Sequence, residues 1–148
     1  MQSRIPNWLL VAIILAALVG FGDSAFLLSK HISGAPIPCF IVTGCDSVTN
    51  SAYSFFLGIP VSAIGVVFYL SMGFLVMLYW DTKKTLFLKL ISVGTVVCLL
   101  ASLYFLYIQA FVLREYCVYC LISAITSATL FTLGMILLKK LRTPEVLA

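Results

Sequence analysis

The sequence predicts an all-α integral membrane protein: a four-transmembrane-helix bundle with a long outer loop that carries a short helix. Its 148 residues are 63% hydrophobic and only 9% charged, whereas soluble domains carry about 25% charged residues. The apolar residues fall into four runs of about twenty residues or a little more, the length that an α-helix needs to cross a bilayer. Because lipid offers the backbone no hydrogen-bond partners, we expect these runs to be helical. No basic tract indicates nucleic-acid binding.

We predict one domain over residues 1–148. Its four helices cover about residues 8–29, 59–80, 88–113 and 117–138, and its outer loop covers residues 30–58. The first run also resembles the core of a signal peptide, since Arg4 precedes it, but the run is longer than such cores usually are. Within the loop, Ser47 or Thr49 is predicted to cap a short helix ending at Gly58, and Asp46 is a further candidate for that cap.

The distribution of Lys and Arg predicts the orientation of the bundle, because these residues accumulate on cytoplasmic loops. Only Lys30 and Arg114 lie in the first and third connections. The other seven lie near the termini or in the second connection: Arg4, Lys83, Lys84, Lys89, Lys139, Lys140 and Arg142. We therefore expect both termini in the cytoplasm of a bacterial-type membrane, with the first and third connections on the outer face.

Two pairs of cysteines then lie on the outer side, where disulfides persist. Cys39 and Cys45 flank a flexible loop, "CFIVTGC", whereas Cys117 and Cys120 form a CxxC motif at the start of the last helix. A helix N-terminus favours a thiolate, the nucleophile of disulfide exchange. We interpret the four cysteines as a relay in which the loop pair takes electrons from a soluble dithiol and the CxxC pair receives them.

The relay needs an electron acceptor, and the sequence contains no flavin, haem or nucleotide motif. A quinone between the helices near Cys120 would accept both the electrons and the protons of a dithiol. Three other interpretations remain: a zinc site built from both pairs, a structural disulfide in the CxxC motif, and a static staple in the loop. We interpret the fifth cysteine, Cys98, as a small buried apolar residue.

Three further polar residues near the apolar runs are candidates for function. Asp23 lies within the first run, where an acidic side chain is costly. It is expected either to assist proton transfer to a quinone or to adjust the pKa of the cysteines. The alternatives are an interhelical hydrogen bond and a protonated carboxyl group that faces a Ser or Thr. Gln109 is expected either to donate to a quinone carbonyl or to join helices, and His31 is expected at the rim of the bundle.

The sequence resembles the vitamin K epoxide reductase family, in particular its bacterial, quinone-linked branch. The resemblance rests on Cys39, "CDSVTNS", "SAYSFFLGIPVSAIG", "SLYFLYIQAFVL" and "CVYC", in that order, and covers nearly the whole chain. The order also separates this sequence from the DsbB family, whose CxxC motif lies in the first outer loop.

The resemblance implies roles for the cysteines and one serine. Cys39 would exchange with the partner protein, Cys45 would form a transient link to Cys117, and Cys120 would face the quinone. Ser51 matches a loop serine that helps to hold the active site in place.

The resemblance also implies the walls of a quinone pocket. Phe68, Phe105 and Gln109 fall where family members line it. Val61 and Ala124 fall where vertebrate members have an Asn and a Tyr that hydrogen-bond the vitamin K head group. Because neither Val61 nor Ala124 can donate a side-chain hydrogen bond, ubiquinone or menaquinone is favoured over a quinone epoxide.

The resemblance finally implies an activity and a partner. Many bacterial members carry a C-terminal thioredoxin-like domain, whereas this sequence ends in "KKLRTPEVLA". We therefore expect a monomeric thiol:quinone oxidoreductase, without a metal, that reoxidises a separate DsbA-like thioredoxin-fold protein. The alternatives are a quinone-epoxide reductase of the vitamin K type and a four-cysteine metal-binding membrane protein.

Overall fold

The computed structural model describes residues 5–143, so Arg4, which enters the predicted orientation, lies outside the described range. The long helices are α1 (Asn7–Ser33), α3 (Val61–Thr82), α4 (Thr85–Tyr107) and α5 (Val118–Arg142). The outer loop contains α2 (Cys45–Thr49), a 3₁₀ turn (Ala52–Ser54), and the strands β1 (Phe55–Phe56) and β2 (Ile59–Pro60). A π-helical turn, Ile108–Leu113, continues α4 toward the last connection.

All four long helices are long and apolar enough to cross a membrane, which confirms the predicted integral membrane bundle. They extend beyond several of the predicted apolar ranges, because polar residues at the membrane surface continue the helical hydrogen bonding. Thus α1 ends only at Gly34, whose φ of 64° is the left-handed conformation common after a helix. Similarly, α5 includes the basic residues of its last turn as far as Arg142.

The predicted loop helix ending at Gly58 is wrong. The structure instead has antiparallel pairing between Phe55–Phe56 and Ile59–Pro60. Leu57 and Gly58 connect the strands with φ angles of 52° and 80°, and two consecutive positive φ angles are typical of a tight hairpin turn. Aromatic side chains also favour strands, so this segment leaves the helical conformation.

The short helix α2 lies earlier in the loop, and its cap differs from the prediction. Ser47 and Thr49 lie inside α2, and the Thr49 hydroxyl donates to the carbonyl of Cys45. Asp46 makes no capping hydrogen bond. Its Oδ1 instead accepts the backbone N–H of Ile37 at 2.9 Å, which ties α2 to the preceding segment.

Close helix packing depends on small residues, as expected where lipid supplies no hydrophobic force between helices. Gly65 of α3 faces Ser24 of α1, and a Cβ at position 65 would lie 2.6 Å from the Ser24 Oγ. Gly134 of α5 faces Thr95 of α4 in the same way. Beside this contact, Ser92 Oγ lies 3.1 Å from the Gly134 carbonyl oxygen that accepts from it. The deepest apolar side chains around these contacts are Leu9, Leu10, Ile13, Val76, Leu88, Ile91, Leu130 and Leu137.

We predict that Gly134→Ala destabilises the bundle by about 1–3 kcal/mol, the usual cost of overpacking. The added Cβ would lie 3.2 Å from the Cβ and Cγ2 atoms of Thr95, and closer still to its hydroxyl. Denaturant unfolding in detergent measures the effect. Gly22→Ala is the control, because its Cβ would meet no atom within 4 Å. Equal stability of the two variants would contradict the close contact between Gly134 and Thr95.

Candidate thiol redox site

The structure brings the four cysteines of the two pairs together at one end of the bundle. Cys39 and Cys45 are joined by a disulfide, with their Cα atoms 6.1 Å apart. Cys117 and Cys120 are free thiols. Cys45 and Cys117 belong to the same buried apolar cluster, and Cys39 and Cys120 pack against it. The loop pair and the CxxC pair thus share one site.

Gly44 allows the loop to approach the connection before α5. A Cβ at this position would lie 2.8 Å from the Tyr116 carbonyl oxygen and 2.8 Å from the Glu115 Cβ. A second contact comes from Tyr119 in the first turn of α5, whose hydroxyl donates to the Pro38 carbonyl at 3.1 Å. These two contacts hold the loop disulfide beside the CxxC motif.

The four cysteines of the site differ in their access to solvent. Cys45 is 1% exposed and Cys117 is fully buried, whereas Cys39 is half-buried. The residues that follow Cys39 project outward, with Phe40 88% exposed and Ile41 84% exposed. An external thiolate can therefore reach the disulfide from the Cys39 side, and the Cys45 sulfur faces the interior.

Cys117 occupies the position immediately before α5, which begins at Val118. The pKa of its thiol is lowered from an ordinary value of 9.0 to about 7, chiefly because the Cys120 thiol donates a hydrogen bond to it. Burial opposes this change, and the backbone N–H groups of Cys120 and Tyr119 add to it. Cys117 is accordingly the thiolate of the CxxC pair near neutral pH.

Gln109 holds the backbone at the start of α5. It is 1% exposed, and its Oε1 accepts the Cys117 N–H at 3.1 Å. Gln109 lies in the π-helical turn, a distortion that is frequent at functional sites. Its side chain thus joins the π-helical turn after α4 to the CxxC motif, and it also lines the neighbouring cavity.

A cavity of about 250 Å³ opens beside Cys120. Five of the six residues that the sequence assigned to a quinone pocket line it: Phe68, Phe105, Gln109, Val61 and Cys120. Ser51, the loop serine of the resemblance, lines it as well, whereas Ala124 is not among the lining residues. The lining face of α5 instead follows Cys120, Ser123 and Ser127, which lie three and seven residues apart on one helical face.

The deep end of the cavity contains a polar cluster that the sequence analysis did not identify. Ser102 Oγ donates to Ser127 Oγ at 2.7 Å, and Cys98 Sγ lies 3.2 Å from the same hydroxyl. Tyr69 also lines this region. Cys98 is therefore only half-buried and faces the cavity, rather than lying in an apolar core. The recurrence of polar residues at i and i+4, Ser123 with Ser127 and Cys98 with Ser102, was the signal in the sequence.

Asp23 and His31 both line the cavity from α1. The Asp23 Oδ2 atom is buried and has no hydrogen-bond partner. The interhelical hydrogen bond considered for Asp23 is therefore absent at this oxygen. His31 lies toward the loop, with its ring edge-on to Phe55 at a centroid distance of 5.0 Å.

Within residues 5–143, no group of three or more His, Cys, Asp or Glu side chains is arranged to hold a metal ion. Cys39 and Cys45 are engaged in their disulfide, and the remaining pair supplies two thiols. The geometry of the described residues is that of a thiol–disulfide site beside an apolar cavity.

Comparisons with known proteins point to the same chemistry. The model of the vitamin K epoxide reductase family matches residues 11–135. The chain is also 33% identical, over 122 residues, to the thiol-disulfide oxidoreductase LTO1 of Arabidopsis thaliana. That match covers 76% of this chain but 32% of the plant protein, so the chain spans about a third of that relative.

We predict that Gly44→Ala slows electron transfer between the loop pair and the CxxC pair by about tenfold or more, because small displacements of reacting groups are costly. The Cβ would push the loop away from Tyr116. Rapid-quench mixing with a dithiol measures the transfer: acid stops the reaction at set times, and labelling then shows which thiols are free. Gly73→Ala is the matched control, since open space surrounds that position. A wild-type transfer rate in Gly44→Ala would contradict the importance of this contact.

We predict that the Cys117 thiolate forms with a pKa of about 7, and that Cys120→Ala raises this pKa because the hydrogen bond from the Cys120 thiol is lost. Thiolate absorbance as a function of pH measures both values. Cys98→Ala should leave the titration near pH 7 unchanged, and Cys117→Ser should remove it. If a thiolate still titrates near pH 7 in Cys117→Ser, that thiolate belongs to another residue.

Proposed function

Since the chain belongs to the vitamin K epoxide reductase family, we propose that it is a thiol:quinone oxidoreductase of the membrane that sustains disulfide formation. It reoxidises an extracytoplasmic thioredoxin-fold protein of the DsbA type and passes the electrons through its two cysteine pairs to ubiquinone or menaquinone. The observation that carries the proposal is the loop disulfide packed beside a reduced CxxC pair, with Cys120 on the wall of an apolar cavity.

The first stage is thiol–disulfide exchange at the exposed end of the loop. A thiolate of the partner attacks the Cys39 sulfur, the bond to Cys45 breaks, and Cys45 leaves as a thiolate. The second thiol of the partner then attacks the mixed disulfide and releases Cys39. The partner is oxidised, and the loop pair carries its two electrons. The greater burial of Cys45 favours attack at Cys39.

The second stage is exchange within the protein. When the CxxC pair is in its disulfide form, the Cys45 thiolate attacks the Cys117 sulfur and the bond to Cys120 breaks. Cys39 then attacks Cys45, which restores the loop disulfide and leaves Cys117 as a thiolate. The low pKa of Cys117 makes it a good leaving group. The result has the same pairing as the structure: Cys39 bonded to Cys45, and two free thiols.

The cavity fits a quinone as the final acceptor. Its wall is mainly apolar, and four aromatic side chains line it together with Cys120: Tyr53, Phe68, Tyr69 and Phe105. A bound quinone supplies an acceptor for two electrons and two protons, which balances the oxidation of two thiols to a disulfide. Val61 offers the ring no hydrogen bond, so the proposal is reduction of an ordinary quinone. The two cysteine pairs and the cavity wall all come from a single chain, so we propose that a monomer is active.

The proposed orientation places this site on the outer face. Lys30 and Arg114 lie at the same end of the bundle as the cysteines, whereas Lys83, Lys84 and Lys139 lie at the other. Since Lys and Arg favour the cytoplasmic side, the end that carries the cysteines would face the oxidising compartment, where a secreted dithiol partner is available.

We predict that replacing any one of the four relay cysteines by Ser abolishes quinone reduction driven by a reduced DsbA-type protein, with a loss of about 100-fold or more, because no disulfide can then complete the relay. Ubiquinone or menaquinone absorbance follows the reaction with purified protein in detergent. Cys98→Ser is the matched control and should retain turnover. A Cys120→Ser protein that still oxidised its partner at the full rate would overturn the proposed route.

The same variants separate the two pairs when a small dithiol replaces the protein partner. Cys39→Ser and Cys45→Ser should still reduce quinone with the small dithiol, because it can reach the CxxC pair directly. Cys117→Ser and Cys120→Ser should not. If the wild type reduces no quinone with either donor, the proposed function is wrong, and measurement of bound zinc then tests the metal-binding alternative.

A further inference from the structure

The cavity contains an acidic group that the exchange of disulfides does not use. Asp23 lies in the middle third of α1, within a candidate membrane-spanning segment. Acidic side chains in such segments are costly and usually functional. The Oδ2 atom of Asp23 is buried without a hydrogen-bond partner, so the carboxyl group is not retained as a structural link at this oxygen.

The position of Asp23 connects it to the reacting thiols. Asp23 and Cys120 line the same cavity from facing helices, α1 and α5. A negative charge on Asp23 would share this cavity with a thiolate at Cys120. Because like charges repel, formation of a thiolate favours a proton on Asp23, and loss of that proton is favoured once the thiols have been oxidised.

We propose that Asp23 is the proton-transfer residue of the quinone reaction, a step that rests on the proposed function. The protonated carboxyl group donates its proton to the nearer quinone oxygen as two electrons leave the CxxC pair. The thiol proton of Cys120 then returns to the Asp23 carboxylate. The proton of Cys117 enters water when its thiolate forms, and the second proton of the quinol comes from water at the cavity mouth. Two thiols and one quinone thus give one disulfide and one quinol, and Asp23 ends in its starting state.

Other titratable groups face the same cavity and must be considered with Asp23. His31 lies on α1 itself, Tyr53 in the outer loop, Tyr69 on α3, Cys98 on α4 and Cys120 on α5. None of the described side chains that line this cavity is a Lys, Arg or Glu. Asp23 is therefore the carboxylic acid of the cavity wall, and it combines a replaceable proton with a free buried oxygen.

The first test separates the two half-reactions in Asp23→Asn. Protein reduced by a small dithiol is mixed with a short-chain ubiquinone, and the loss of quinone absorbance gives the rate. The rate is measured from about pH 5.5 to about pH 8.5, which brackets the neutral pH at which a general acid is expected to work. We expect a rate at least about tenfold below the wild type at neutral pH. The remaining rate should fall as pH rises, because the proton must then come from water. Asp23→Glu should restore part of the rate and flatten the profile.

Two controls keep a structural effect apart from a chemical one. The reduction of the Cys39–Cys45 disulfide by a dithiol does not need this proton, so its rate in Asp23→Asn should equal that of the wild type. Asp81→Asn removes an exposed carboxyl group at the end of α3, outside the cavity and away from the cysteines. It should leave both half-reactions unchanged.

Infrared difference spectroscopy provides a measurement on quinone-free protein. Oxidation and reduction of the CxxC pair should perturb the C=O stretch of a protonated carboxyl group, and Asp23→Asn should remove that band while Asp81→Asn keeps it. A missing band in the wild type would overturn the inference. An Asp23→Asn protein with wild-type quinone kinetics and pH profile, or with both half-reactions slowed equally, would overturn it as well. A wild type that reduces no quinone overturns the proposed function and this inference together.

Discussion

The site depends on the contact between the outer loop and the start of α5. Gly44 lies against the backbone of Tyr116, and Tyr119 reaches back to the Pro38 carbonyl. Because the two cysteine pairs are separated by more than seventy residues, tertiary contacts such as these, and not closeness along the chain, place them side by side. The loop is anchored from within as well, since Asp46 accepts the Ile37 N–H. The short loop helix thus serves to position a disulfide rather than to bury a large apolar surface.

A gradient of exposure runs through the site and gives the thiol chemistry its direction. Cys39 is the sulfur open to an external thiolate, Cys45 and Cys117 are enclosed together, and Cys120 borders the cavity. Disulfide exchange requires an attacking thiolate and an accessible sulfur at each stage. Burial therefore keeps the thiols of another folded protein away from Cys45 and Cys117, whereas Cys39 stays accessible to them.

The polar residues of the cavity show where sequence reasoning succeeded and where it stopped. Asp23 stood out in the sequence because an acidic group interrupts an apolar run, and Gln109 because it falls where members of the family line the quinone pocket. The Ser102–Ser127 pair did not stand out, because serine is also an ordinary helix-packing residue in membranes. The match of motif positions that singled out Ala124 carries no information on the rotation of α5 about its axis, and the structure turns Cys120, Ser123 and Ser127 toward the cavity instead. The hairpin of the outer loop was missed since its aromatic residues suit either a helix face or a strand.

Three properties could be read from the sequence alone: four apolar helices long enough to cross the membrane, two cysteine pairs at one end with Cys98 apart from them, and the pair order of the vitamin K epoxide reductase family. These properties follow from run length, the hydrogen-bonding needs of the backbone in lipid, and spacing along the chain. Three other features became visible only in the folded chain: the Cys39–Cys45 disulfide, the hydrogen bond from the Cys117 N–H to Gln109, and the Asp23 oxygen without a partner. Each of these depends on how the loop and helices turn toward one another, and such contacts between distant segments have no periodic signature in the sequence.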